Sequence, residues 1–426
     1  MILTKIAVEF VHLYSFPAIN RRRVGTSMPL LWFNPAAITT ASHCTAAKMD
    51  RISKILDRRW MLRAPDTEIH QIKISGVYGF SNNTIPALGA GFGRSRHPNF
   101  YVIRDDLLHP LVNGNKARKL DALLPLLEDF SITDVITCGG CQSAHTAALA
   151  VACSERGIRA HLLLRGERPK VLTGYCLISS MYGEVTYVSR SVYTNRNEML
   201  ANYANSIAGT DAIVLSCNDL IGENASSNLK NLQTSTRKIV IINEGAADVT
   251  ALLGVFRLVM FLCQDHLLGR ERNVHLIVDA GTGTTAIGLG LAANSLQLPW
   301  KITAIMLADT FENYTNKEKE LVTQFSSYWE TDTNLVNWID RCSKRKFGNI
   351  LKGEVETCGK ISKQTGVLVD PIYTLAAWEE SVRLSFEKQE NEDVVMLHTG
   401  GTLAIFGIAQ RTAPGDGYGR CWNKGP

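Results

Sequence analysis

Lys116 stands in the run Gly114-Asn115-Lys116-Ala117-Arg118-Lys119, a glycine followed by three cations at the start of a helical pattern. Neighbouring positive charges disfavour protonation of an amine, and an amine tuned down in this way is a nucleophile toward an aldehyde. A second run, Gly281-Thr282-Gly283-Thr284-Thr285, lies between an apolar strand pattern and a helix-length segment. Its amide N–H groups and the helix N-terminus are placed to hold a phosphate, with the hydroxyls of Thr282, Thr284 and Thr285 as further donors. The run is not a Walker A loop, because no Gly-Lys-Ser/Thr follows, and Ala286 at the third glycine position weakens a dinucleotide reading without removing it. Each feature alone has a plain alternative: a solvated lysine, and an ordinary strand-to-helix turn. Together they are what an aldehyde-bearing phosphorylated cofactor requires.

From about residue 100 the chain alternates short apolar runs with longer amphipathic segments, the pattern of βαβ units around a parallel sheet. Strands are predicted at 134–138, 160–164, 185–188, 238–242, 274–280, 302–307 and 394–398, and helices at 143–156, 194–207, 248–267, 285–296, 314–325, 373–388 and 402–411. In such folds ligands bind where strands end and helices begin. Besides the 281–285 run, three junctions have suitable residues: Gly139-Gly140-Cys141-Gln142-Ser143, Gly245-Ala246-Ala247 and His398-Thr399-Gly400-Gly401-Thr402. The polar stretch 224–237 reads as a surface loop or a crossing between domains. Cys138 and Cys141 have redox spacing, but no helix starts directly after the second, so small residues in a tight loop are the preferred reading. No second Cys or His pair stands at zinc spacing, and no metal is expected.

The 426 residues carry 45 Lys plus Arg against 40 Asp plus Glu, a formal charge of +5. Residues 1–63 hold ten basic and three acidic residues, which is +7 and leaves −2 for the remainder. A nucleic-acid footprint would spread its charge over the folded body, so none is expected. Residues 1–47 contain one acid, the run Arg21-Arg22-Arg23 and eight Ser or Thr, the composition of an organellar transit peptide. The most apolar stretch, 249–269, contains Arg257 and Asp265 and reads as a buried helix, so no membrane span is expected. Ten scattered cysteines form no dense disulfide framework and suggest a reducing compartment.

Five motifs occur in the order seen in the D-cysteine desulfhydrase and 1-aminocyclopropane-1-carboxylate (ACC) deaminase family. They are Gly114-Asn115-Lys116-Ala117-Arg118-Lys119-Leu120, Cys141-Gln142-Ser143-Ala144-His145-Thr146, the Gly-Thr-Gly-Thr-Thr run, Asp370-Pro371-Ile372-Tyr373-Thr374 and His398-Thr399-Gly400-Gly401. The chain resembles that family over roughly residues 65–411, and with its transit-like N-terminus it resembles the plant mitochondrial branch. The resemblance implies an α/β protein of the tryptophan-synthase β-like type, pyridoxal-phosphate fold type II, with two open, twisted, mostly parallel sheets flanked by helices. It implies a small domain at 120–235, a large one made of 64–119 and 236–426, the cofactor pyridoxal 5'-phosphate between them, and a homodimer or higher homo-oligomer. By position, Lys116 resembles the lysine that forms the Schiff base, with Asn115 its neighbour in the motif. Ser143 resembles the hydroxyl that faces the substrate, and Gly281, Thr282, Gly283, Thr284 and Thr285 resemble the phosphate cup. Tyr373 resembles the active-site tyrosine, and Thr374 and Thr399 lie where groups near the pyridine nitrogen are found. Two residues depart from the family pattern: Ala144 replaces the usual Asn after the serine, and Phe347 before Gly348 is the nearest counterpart of a second tyrosine.

ACC deaminases have Glu after the tyrosine, where this chain has the neutral Thr374, which leaves the cofactor ring a weaker electron sink. Opening a cyclopropane needs more carbanion stabilisation than expelling sulfide from cysteine. The implied reaction is therefore that of a carbon–sulfur lyase. D-cysteine displaces Lys116, the freed amine removes the α-proton, and sulfide, pyruvate and ammonia result. ACC deamination, a cofactor-binding protein with reduced activity, and a nicotinamide-dependent oxidoreductase using Asp309 and the Cys138/Cys141 pair are the alternatives.

Overall fold

The computed structural model describes residues 53, 54, 56–75, 79–85, 98–221, 237–326, 334–388 and 391–411. The transit-peptide reading falls on 1–47, outside these residues, as does the 224–237 stretch apart from Arg237.

Two sheets are built around central apolar strands that are buried on both faces. The smaller is five-stranded and wholly parallel, in the order β6-β5-β4-β8-β7: β4 (Asp134–Gly140), β5 (Arg159–Arg165), β6 (Glu184–Val188), β7 (Ala212–Ser216) and β8 (Arg237–Ile241). The larger is seven-stranded, in the order β11-β10-β9-β12-β3-β1-β2. Its parallel part is β3 (Asn99–Ile103), β9 (Asn273–Ala280), β10 (Trp300–Met306), β11 (Asn337–Asp340) and β12 (Glu392–Leu397). β1 (Ile69–Ser75) runs antiparallel to β3 and pairs with β2 (Gly79–Ile85) at the edge. Continuous apolar runs with both faces covered are the mark of parallel strands. All seven strands predicted from such runs are present. The five not foreseen are β1, β2, β3, β7 and β11. β1 mixes apolar with polar residues, β2 is mostly polar, and β11 is only four residues long.

The helix Val249–Leu262 has eleven of its fourteen residues buried and packs on two others. Against the helix Asn115–Asp121 the contact is so close that a Cβ at Gly254 would lie 1.9 Å from the Arg118 carbonyl oxygen. Against the helix Thr284–Ser295, Gly288 faces Val255. Small residues therefore set the separation between the helix that carries Lys116 and the one that begins at the glycine-threonine run. An ion pair fixes the same helix from its other side: Arg118 donates to Asp105 at 2.9 and 2.7 Å, both side chains buried, and to the Pro65 carbonyl at 2.8 Å. The chain is already packed before β1. Leu56 is in the core, Trp60 lies under Arg257 at 4.7 Å, and Met61 N–H donates to the Asp121 carbonyl at 2.8 Å.

Asp134, at the start of β4, accepts from Arg159, His161 and Arg237, joining β4 to its neighbours β5 and β8. These bonds, with that from Thr133, hold its carboxyl well below the usual carboxylate range despite its burial.

Candidate active site

The residues singled out for chemistry come from the carboxyl ends of strands and the helix starts that follow them. Gly114 enters the Lys116 helix with φ +62, and a Cβ there would lie 1.9 Å from the Thr399 carbonyl oxygen. Asn115 N–H donates to that same oxygen at 3.1 Å, and Asn115 Nδ2 donates to Thr285 Oγ1 at 3.1 Å. The Lys116 helix start, the 281–285 run and the loop after β12 thus form one constellation. Tyr373 joins it: its ring lies 3.3 Å from the position a Cβ on Gly281 would take.

Burial lowers the Lys116 amine to about 8, with the Asp279 carboxyl opposing the shift. The sequence argument attributed this lowering to mutual repulsion among three cations. The structure corrects the cause, because Arg118 is turned away into its pair with Asp105 and desolvation dominates. Repulsion operates at the third cation instead. Lys119 is pushed well below the ordinary lysine value by burial and then by Lys116. Its Nζ donates to the Gly245 carbonyl at 2.9 Å and to Thr282 Oγ1 at 3.3 Å. Lys119 therefore belongs to the glycine-threonine run, a place that sequence separation of 163 residues concealed. That run turns at Gly283, with φ +77, and Thr284 begins the helix. A desolvated amine beside a loop with free backbone N–H groups, three hydroxyls and a second lysine is a donor set that fits a phosphorylated aldehyde.

Ser143 caps the helix Ala144–Ser154, its hydroxyl accepting from Thr146 N–H at 3.3 Å. A Cβ at Gly139 would meet this hydroxyl at 2.6 Å, so the small residues after β4 make room for it. Gln142 ties the same loop to the helix Gly174–Tyr182: its Nε2 donates to the Thr173 carbonyl, and Tyr175 N–H donates to its Oε1. One residue past Ala144, His145 has its pKa driven well down by burial, to which the charges of Lys116 and Lys119 add. Thr137 gives its hydroxyl proton to the Ile242 carbonyl, so His145 Nε2 is the donor to Thr137, and the buried Nδ1 has no partner. Phe347 lies edge-on to Tyr373 at 5.5 Å and helps line a cleft of about 170 Å³ with Leu307, Arg341 and Ile372.

Two buried carboxyls complete the site, and neither was assigned a role from sequence. Asp370 accepts from the N–H groups of Ile372, Tyr373 and Thr374 and from the Thr374 hydroxyl, which in turn accepts from Asp370 N–H. Asp279 accepts from the Thr399 hydroxyl at 2.6 Å and is pushed up to about 7 by burial. The surroundings of Thr374 and Thr399 are therefore acidic, which the expectation of a neutral, weak electron sink did not include.

The oxidoreductase alternative loses its parts. Cys138 is buried in the cluster around Tyr193 and Met199, whereas Cys141 packs against the one containing Cys176. Asp309 accepts from Thr310 N–H and Asn313 at the start of its own helix.

A desolvated lysine, a phosphate-fitting loop and two mostly parallel sheets define the class: a pyridoxal-phosphate protein of the tryptophan-synthase β-like fold. A solved ACC deaminase homologue superposes with a TM-score of 0.63 over 85% of this chain and 98% of its own, at 24% identity. O-ureido-L-serine synthase superposes with a TM-score of 0.50 over 82% of this chain and 92% of its own, at 11% identity. No family model matches the chain. A protein of Oryza sativa subsp. japonica named "Putative D-cysteine desulfhydrase 2, mitochondrial" is 50% identical over 375 residues, 83% of this chain and 92% of that protein. An Arabidopsis thaliana protein named "Bifunctional D-cysteine desulfhydrase/1-aminocyclopropane-1-carboxylate deaminase, mitochondrial" is 23% identical over 72% of this chain and 73% of its own. The chain belongs to the D-cysteine desulfhydrase and ACC deaminase family of pyridoxal-phosphate enzymes.

Proposed function

We propose that this protein is a mitochondrial lyase that releases sulfide, pyruvate and ammonia from D-cysteine. The observation that carries the reading is the start of the Lys116 helix tied to the 281–285 loop by the bond from Asn115 to Thr285 and to the Thr399 loop by Gly114, with burial lowering the Lys116 amine to about 8. Substrate and compartment follow the names of the rice and Arabidopsis relatives. When bound, pyridoxal phosphate supplies an aldehyde for the substrate amine and a ring that takes up charge as the α-proton leaves. Gly281, Thr282, Gly283, Thr284 and Thr285 hold the phosphate, with Lys119 as a charge-assisted donor. Near neutral pH an amine with a pKa of about 8 is a strong enough base to take the α-proton and is deprotonated in a useful fraction. Ser143 and the first free N–H groups of its helix receive the substrate carboxylate. Tyr373, placed by its backbone bond to Asp370, closes the site over Gly281. We assign the small sheet and its helices to a small domain at about 120–235. By its pairing β8 also belongs to that sheet, so the chain returns to the larger domain after Ile241. A homodimer or higher homo-oligomer is proposed on family resemblance.

The test is a panel of D-cysteine, L-cysteine and ACC, assayed for sulfide, keto acid and ammonia with wild type and Lys116→Ala. D-cysteine should give sulfide and pyruvate in equal amounts, and Lys116→Ala should lose this by three orders of magnitude or more, as about 4 kcal/mol or more of barrier lowering disappears. Faster release of 2-oxobutyrate from ACC than of sulfide from D-cysteine would favour the second reading, ACC deamination, which the acidic surroundings of Thr374 and Thr399 support. Ala144→Asn in the same panel tests whether that departure limits turnover.

A further inference from the structure

The bond between Thr399 and Asp279 has a direction. A threonine hydroxyl has one proton, and here Thr399 Oγ1 spends it on Asp279 Oδ1 at 2.6 Å, a length typical of a charge-assisted bond. What remains on Thr399 is lone pairs. Thr374 is in the same condition, its proton given to Asp370 Oδ2 at 2.9 Å. A group meeting either threonine must therefore bring its own proton. Asp279 is 4% exposed and Thr399 6%, so water cannot readily exchange with either partner. Burial raises the Asp279 pKa, and Asp370, from the loop before the helix that starts at Thr374, raises it further. Lys116 and Lys119, both on the helix that starts at Asn115, act on Asp279 in the opposite sense and favour its ionised form.

We propose that Asp279, acting through the Thr399 hydroxyl, keeps the ring nitrogen of bound pyridoxal phosphate protonated. This rests on the reading above that Thr399 borders that nitrogen. A ring N–H donates to Thr399, whose hydroxyl donates to the Asp279 carboxylate. The pyridinium and carboxylate then neutralise each other across one bridging oxygen, and no further proton is needed. Asp279 is a positioning residue in this account. It makes Thr399 an acceptor and supplies the counter-charge, giving the ring the stronger electron sink that Thr374 alone would not.

The test is nitrogen-15 NMR of the holoenzyme loaded with ring-¹⁵N pyridoxal phosphate at pH 8.5, where Asp279 is ionised. Wild type should show the shift of a protonated pyridine nitrogen. Asp279→Asn, with cofactor still bound, should move it to that of an unprotonated nitrogen, because Asn presents no charge. Thr399→Val should do the same and serves if Asp279→Asn does not fold. An unprotonated nitrogen in wild type, or a protonated one in both variants, overturns the proposal. Failure of the wild type to bind the cofactor would instead overturn the reading on which the proposal rests.

Discussion

Lys116 and Lys119 are three residues apart on one helix, yet the fold gives them different tasks. Lys116 keeps an amine poised near neutrality in a desolvated setting, and Lys119 is committed to the Gly245 carbonyl and the Thr282 hydroxyl. If Lys119 holds the phosphate, Lys119→Met removes one charge-assisted bond, about 1.5–3 kcal/mol. The dissociation constant for pyridoxal phosphate should rise about 10- to 100-fold, while kcat at saturating cofactor changes only a few-fold. Equilibrium titration of the apoprotein measures this, and an unchanged affinity would remove Lys119 from the cup. At this scale the sequence was legible where a motif is local. The Gly-Asn-Lys and Gly-Thr-Gly runs carry their own geometry. Lys119 was legible as a cation of the Lys116 run but not as a partner of the Gly-Thr-Gly loop, and Asp279 and His145 were missed, because their partners lie on distant segments and no spacing rule connects Asp279 with Thr399.

The elements that position these residues depend on polar anchors as much as on apolar packing. The Asp134 carboxyl is fully buried, and its bonds to Arg159, His161 and Arg237 lie across neighbouring strands of the small sheet. Asp134→Ala would leave buried His161 without its partner while the more exposed Arg159 and Arg237 turn to water, and we expect a loss of about 1–3 kcal/mol in unfolding free energy. The pH dependence has a definite sign. Because the folded pKa is lowered, the stabilisation is complete above the unfolded carboxylate's value of about 3.9 and is lost as pH falls below it. Urea midpoints should therefore differ most between wild type and Asp134→Ala at pH 6–7; the gap should begin to narrow as pH falls below about 4 and close only once pH passes below the lowered folded value. A constant gap would show that packing, not ionisation, is lost. The strands and helices were largely legible because buried parallel strands read as unbroken apolar runs. β1 and β2 were not, since polar residues interrupt the apolar run of β1 and make up most of β2 at the sheet edge.

Over the whole molecule, the +5 charge concentrates in the first 63 residues, but the folded body begins before that point, with Leu56, Trp60, Met61 and Leu62 engaged by the core, Arg257 and Asp121. A protein lacking residues 1–52 should keep the melting temperature and cofactor content of the full chain. One lacking 1–63 should melt several degrees lower, because the buried Leu56 and the partly buried Trp60 that packs on the core are removed. Equal melting of the two would mean that 53–63 contribute nothing. Charge composition located the boundary only roughly, since Arg58 and Arg59 are basic yet flank buried residues. The most direct test of the whole account is reduction of the holoenzyme with borohydride, which makes the lysine–cofactor linkage permanent, followed by peptide mass spectrometry. A single pyridoxyl-phosphate adduct on Lys116 is the expected result, and an adduct on Lys119 or any other lysine, or none at all, would contradict it.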